Sequence, residues 1–151
     1  MKKDISVQYF NTGCNCSQAV VMPFAEEAGI DCELIERIAV GFGGGMGKQG
    51  KTCGCISGAL MVLGLKYGND SIKQIEQRIN TYKISKAFIE RFQNEYGHTE
   101  CKELIKLDLN KTADMEKAQK QKVFENRCSK IVERTVEILE SEFLFEDSLN
   151  P

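Results

Sequence analysis

Apolar residues recur along this chain at the spacing of an α-helix, and the alternation of Val, Ile, Thr and aromatic residues that marks a half-buried strand is missing. Only two prolines interrupt the pattern, and one of them, Pro151, is the last residue. The reading is all-α: a single domain over residues 1–151, built as a bundle of about five to six helices around one central apolar helix. A chain of this length buries roughly two thirds of the surface it exposes when unfolded, enough for a core without disulfide staples.

The helix starts are marked by caps. Asn15 with Gln18 three residues on forms a capping box, which predicts a helix from Cys16 to Ala28 ended by Gly29. Pro23 lies inside it and predicts a kink or break, since its ring deletes one backbone hydrogen bond at a cost of about 3 kcal/mol. Asp31 opens a short helix from Cys32 to Val40. The stretch from Gly41 to Lys51 then holds six of the thirteen glycines and cannot be a helix interior. Thr52 caps Cys53 to Tyr67, apolar nearly all round and therefore the expected central helix. Ser71 to Tyr96 follows, stopped by Gly97, and Thr99 caps a short helix carrying Cys101, Leu104 and Ile105. Residues Asp108 to Asp114 read as a connection to a last long helix with Phe124, Cys128, Ile131 and Val132 on one stripe.

Twenty Lys and Arg against twenty-two Asp and Glu give a net charge of -2, without the basic footprint of a nucleic-acid binder. The longest nearly apolar run, Ile56 to Leu65, is far short of the roughly 20 residues that span a bilayer. The start Met1-Lys2-Lys3-Asp4-Ile5-Ser6 has no apolar h-region, and the expected location is the cytoplasm. Seven cysteines in such a setting are an odd and large count. In a reducing compartment they point to metal ligation or thiol redox work rather than structural disulfides.

If the caps are right, Cys16 and Cys53 are each the first residue of a helix and Cys101 lies in a first turn. A helix N-terminus carries about half a positive charge and favours thiolate over thiol. Cys128 lies on the apolar stripe of the last helix, so four cysteines from four helices are placed to converge on one protected site. A free cysteine is more often a small buried hydrophobe than a chemical group, and that reading is kept for Cys14, Cys32 and Cys55. Within Cys14-Asn15-Cys16 and Cys53-Gly54-Cys55 the paired thiols are about 200° apart around a helix, so both face one site only if the helix starts between them.

The pattern resembles the C-GCAxxG-C-C family of redox-active proteins, named for four recurring cysteines. The matching stretches are Gly13-Cys14-Asn15-Cys16-Ser17-Gln18-Ala19-Val20, Gly45-Met46-Gly47, Thr52-Cys53-Gly54-Cys55-Ile56-Ser57-Gly58-Ala59-Leu60 and Val62-Leu63-Gly64, with single cysteines at 101 and 128. The resemblance covers most of the chain. It carries over Cys16, Cys53, Cys101 and Cys128, and implies a small helical module whose four thiols act as a group. Cys55 departs from the family, which usually has alanine there.

Four thiolates can hold an iron-sulfur cluster or a structural zinc. Cys-x-x-Cys, the usual knuckle of zinc sites and thioredoxins, is absent, which puts an iron-sulfur cluster for electron transfer first. Zinc that only stabilises the bundle is an alternative. So is metal-free thiol-disulfide exchange, with Cys16 and Cys53 as the reversible pair and Cys101 and Cys128 resolving it. His98, the lone histidine, reads as a helix-entry residue that could complete a Cys3His set. The expected task is that of an oxidoreductase or electron-transfer protein with a redox partner protein; a homodimer is left open.

Gly45-Met46-Gly47-Lys48-Gln49-Gly50-Lys51-Thr52 fits both the phosphate-loop pattern and G-x-G-x-x-G. A nucleotide site needs a strand before the loop, and a helix is expected there instead. The preferred reading is that the glycines let the loop pass close to Cys53, with Lys48 and Lys51 available to a small anion.

Overall fold

The computed structural model describes residues 1–144. Among these the chain is all-α and a single domain, with eight α-helices rather than five or six. They are α1 (Lys2–Asn11), α2 (Cys16–Glu27), α3 (Cys32–Ala39), α4 (Gly54–Tyr67), α5 (Ile75–Tyr96), α6 (Cys101–Ile105), α7 (Thr112–Lys120) and α8 (Ser129–Ile138). A 3-10 turn over Val40–Phe42 ends α3, and π-helical turns at Phe124–Cys128 and Leu139–Phe143 flank α8. No helix among the described residues is long and apolar enough to cross a membrane.

No single apolar helix occupies the centre as expected. The segment assigned that place, α4, leaves Leu65 exposed and Leu60 and Met61 half-buried. It shares the core with α2, whose residues Ser17 to Ala25 are all buried and which packs against α1, α3, α4 and α8. Pro23 does not break α2, which runs through it to Glu27. The carbonyl of Ala19 lacks its usual donor there, and close packing of the surrounding apolar faces offsets the loss.

The two helices nearest the sulfurs meet backbone to backbone. A Cβ placed on Gly58 would stand 2.7 Å from the Ser17 carbonyl oxygen, and one on Gly54 3.1 Å from Cys16 Cβ. Two glycines one turn apart on α4 therefore let α2 approach as no larger residue would, and Cys16 is carried against the start of α4.

The Asn15–Gln18 capping box forms as expected. The same two side chains also reach α3 and its 3-10 turn, since Asn15 Nδ2 donates to the Val40 carbonyl at 2.8 Å and Gln18 Nε2 to the Glu36 carbonyl at 3.0 Å. A second tie joins the segments ahead of α4 and α6. Cys53 N-H donates to the Thr99 carbonyl (2.8 Å), Cys101 N-H to Lys51 (2.6 Å) and Lys102 N-H to Gly50 (3.1 Å), around an antiparallel bridge between Thr52 and Glu100. This short pairing consumes the capping roles expected of Thr52 and Thr99: Cys53 itself is the N-cap of α4 and Glu100 that of α6. Gly45 lies against the same tie at φ +74°, where a Cβ would fall 2.8 Å from Cys101 Cβ.

Candidate functional site

Four segments bring sulfur to one place. Cys16 is the first residue of α2, Cys101 the first of α6, Cys53 the N-cap of α4, and Cys128 ends the π-helical turn before α8. That turn is fixed to α6 by Arg127, whose Nε donates to the Leu104 carbonyl at 2.8 Å. A π turn inserts an extra residue and re-aims the side chains that follow, a device common at functional sites. Cys16, Cys53, Cys101 and Cys128 all line one small enclosed cavity of about 20 Å³.

A fifth sulfur, Cys55, lines it too. Spacing alone makes Cys55 a packing residue, because two thiols two positions apart diverge on a helix. Here the helix starts between them: Cys53 has extended backbone (φ -55°, ψ 135°) and Cys55 is already helical. The missed signal was the exact position of the helix start. Cys14 lies elsewhere, in a larger outer pocket, and Cys32 is remote, its thiol directed at the Ile30 carbonyl at 3.8 Å.

The outer pocket has a volume of about 880 Å³ and is separated from the inner cavity by Cys16, Cys101 and Cys128, which line both. Its remaining walls are mainly apolar, with Phe10 from α1, Met115 from α7 and Phe124 from the π turn among them. The elements that supply Phe10 and Met115 are the two helices the sequence did not reveal. His98 is exposed and lines neither cavity. The glycine loop follows a 3-10 turn rather than a strand. The N-H groups of Gly47, Lys48, Gly50 and Lys51 donate to carbonyls of Gly41, Gly43, Gly44 and Gly45 within the loop, so they do not cradle a phosphate.

The sulfurs differ sharply in acidity. Cys128 and then Cys55 direct their thiols at the Cys16 sulfur, and these hydrogen bonds hold the Cys16 thiol well below its ordinary pKa against the opposing effect of burial. The donors pay in the opposite direction. Hydrogen bonding to Cys16, followed by burial, raises Cys128, and hydrogen bonds to Cys16 and Cys53 raise Cys55. Burial pushes the Cys101 thiol up to about 12. Burial also raises Cys14, with Glu36 adding to it. The surroundings thus favour the thiolate at Cys16 and the protonated thiol at Cys55, Cys101 and Cys128.

A family model described as "Putative redox-active protein (C_GCAxxG_C_C)" matches residues 14–142. The chain belongs to the C-GCAxxG-C-C family. An uncharacterised protein of Archaeoglobus fulgidus is 26% identical over 140 residues, covering 88% of this chain and 87% of its own length. No solved structure matches the chain. All the sulfurs that line the inner cavity fall within the stretch matched by the C-GCAxxG-C-C family.

The expected metal chemistry does not fit this geometry. Among the described residues no three Cys, His, Asp or Glu side chains are placed to hold a metal ion. The iron-sulfur cluster on Cys16, Cys53, Cys101 and Cys128 is therefore corrected, and with it the electron-transfer role, the alternative zinc scaffold and the Cys3His set. Metal ligation needs sulfurs converging on one point at about 2.3 Å, whereas these thiols surround a 20 Å³ cavity and hydrogen-bond to one another. The exchange reading is corrected as well: no two of the seven cysteines stand at disulfide distance, and the partners of Cys16 are Cys128 and Cys55 rather than the expected Cys53.

Proposed function

We propose that this C-GCAxxG-C-C protein is a single-sulfur redox protein, in which the thiolate of Cys16 is oxidised by a hydroperoxide that enters through the outer pocket. One observation carries the reading: Cys16 lies on the wall shared by the open pocket and the inner cavity, and it is the sulfur to which two neighbouring thiols donate. A reactive cysteine needs access on one side and stabilisation of its negative charge on the other, and Cys16 combines the two.

In the reaction the Cys16 sulfur attacks the terminal peroxide oxygen. The S-O bond forms, the O-O bond breaks with its electron pair leaving on the departing oxygen, and a proton from solvent in the outer pocket converts that oxygen to water or an alcohol. Cys16 becomes a sulfenic acid. Two equivalents of a low-molecular-weight thiol return it to the thiol, releasing water and the oxidised small thiol, as a reducing cytoplasm would provide. Cys16 is the catalytic residue in this scheme. Cys128 and Cys55 hold its charge, and burial keeps Cys101 a protonated, unreactive thiol beside it.

Trapping tests this directly. Reduced protein is treated at pH 7 with one equivalent of hydrogen peroxide in the presence of a carbon nucleophile specific for sulfenic acids, and the adduct is located by peptide mass spectrometry. The expected result is a single adduct on Cys16. An adduct on any other cysteine in its place, or none with either hydrogen peroxide or an organic hydroperoxide, overturns the assignment.

A further inference from the structure

We propose that the outer pocket binds the uncharged, apolar body of an organic hydroperoxide, so that the substrate of the Cys16 site is an alkyl or aryl hydroperoxide rather than hydrogen peroxide. The inference rests on the reading of Cys16 as the reacting sulfur and goes beyond it in naming what the site selects.

Size is the first support. At about 880 Å³ the pocket lies within the range of small-molecule sites, roughly 300–1,000 Å³, and hydrogen peroxide would need none of this space. The second support is the origin of the walls. Phe10, Val40, Leu109, Met115 and Phe124 reach the pocket from five separate segments: α1, the 3-10 turn, the connection before α7, α7 and the π turn. Apolar side chains brought together from such distant parts of a chain ordinarily close into core. Here Phe10, Met115 and Phe124 stay only partly buried, packed on the cluster that contains Cys101 and Cys128.

The polar groups on the wall narrow the ligand further. The Asn15 amide is already engaged, donating to the Val40 carbonyl and accepting from Gln18 N-H. Lys48 and Glu125 line the pocket and form no ion pair among the described residues. One charge of each sign gives the wall no net preference for an anion or a cation, which fits an uncharged body. The peroxide end then lies over Cys16, the reacting atom on the floor, and the products are the Cys16 sulfenic acid and the corresponding alcohol, which keeps the apolar body and must leave by the same opening.

Two measurements on the full-length reduced protein test the idea. In the first, Cys16 oxidation is timed with cumene hydroperoxide and with hydrogen peroxide. The expected result is saturation with cumene hydroperoxide and at least a tenfold higher rate at equal low concentration. In the second, the product alcohol, 2-phenylpropan-2-ol, is titrated and the methyl and aromatic resonances of Phe10, Met115 and Phe124 are followed. They are expected to shift together, and to stop shifting in Val40→Trp, where the added indole at an exposed position fills the pocket; the helical circular dichroism of that variant reports its folding. Equal rates with the two oxidants, or no shift on adding the alcohol to the wild type, overturns the inference. Oxidation of Cys16 at equal rates leaves the single-sulfur reading standing, whereas failure of both oxidants to modify Cys16 removes both.

Discussion

The Cys16→Ser protein is expected to lose its fast-reacting thiol altogether. In the wild type at pH 7, iodoacetamide should modify one cysteine rapidly, because only the thiolate is nucleophilic and hydrogen bonds from Cys128 and Cys55 favour that form of Cys16. Cys14, Cys32, Cys55, Cys101 and Cys128 are pushed the other way. A thiol with a pKa of about 12, such as Cys101, is ionised in only about one molecule in 100,000 at pH 7, and Cys128 and Cys55 are raised as well. The fast phase should therefore vanish in Cys16→Ser, leaving alkylation slower by about a hundredfold or more on the thiolate fractions just described. Cys32→Ser, which removes a thiol remote from both cavities, should keep the fast phase. Persistence of a fast phase in Cys16→Ser would mean that another sulfur carries the charge.

The same charge state makes stability depend on pH in a way set by sulfur. Cys55, Cys101 and Cys128 have folded pKa values above those of the unfolded chain, so the native state keeps protons that the unfolded state releases above about pH 8.5. Their contribution is fully present below that pH and is lost as pH rises towards the folded values. Cys16 acts with the opposite sign: its folded pKa is lowered, and its contribution is present above the ordinary thiol range and lost as pH falls towards the folded value. Stability should thus decline steeply on the alkaline side. Each thiol that stays protonated in the native state contributes a slope of about 1.4 kcal/mol per pH unit. Cys55→Ala isolates one of them. Urea unfolding from pH 8.5 to 10.5 should show the variant losing stability less steeply than the wild type, by about 1.4 kcal/mol per pH unit on the linkage just given. Parallel curves would show that Cys55 ionises in the folded protein and that the surround of protonated thiols does not exist.

What was legible in the sequence follows the range of the interactions. The Asn15–Gln18 capping box spans three residues, and both partners are visible in the local pattern. α1 was not legible, because its own apolar pattern is weak and it buries only Ser6; it is held by packing on α2 and α8 and by ion pairs such as Lys3 with Glu137 at 2.7 Å. α7 buries only Ala118 and was not legible as a separate helix for the same reason; the connection expected over Asp108 to Asp114 takes in only its first turn. The convergence of Cys16, Cys53, Cys101 and Cys128 was accessible from helix starts and one apolar stripe. The participation of Cys55 was not, since it depends on a one-residue shift of the α4 start produced by the Thr52–Glu100 bridge, a pairing between positions far apart in the chain. The metal expectation failed at a finer scale. Spacing can place sulfurs around one cavity, but whether they converge on a point or hydrogen-bond to each other is decided by side-chain positions that no spacing encodes.

Site-resolved alkylation of the reduced wild type between pH 4 and pH 9, quantified by mass spectrometry for all seven cysteines, tests most directly the claim that Cys16 is the resident thiolate. Cys16 should be the first residue modified at every pH, with a rate that is flat through neutrality and falls only well below the ordinary thiol range. A Cys16 rate that climbs with pH as in the urea-unfolded chain, or that Cys101 or Cys128 overtakes, would contradict it.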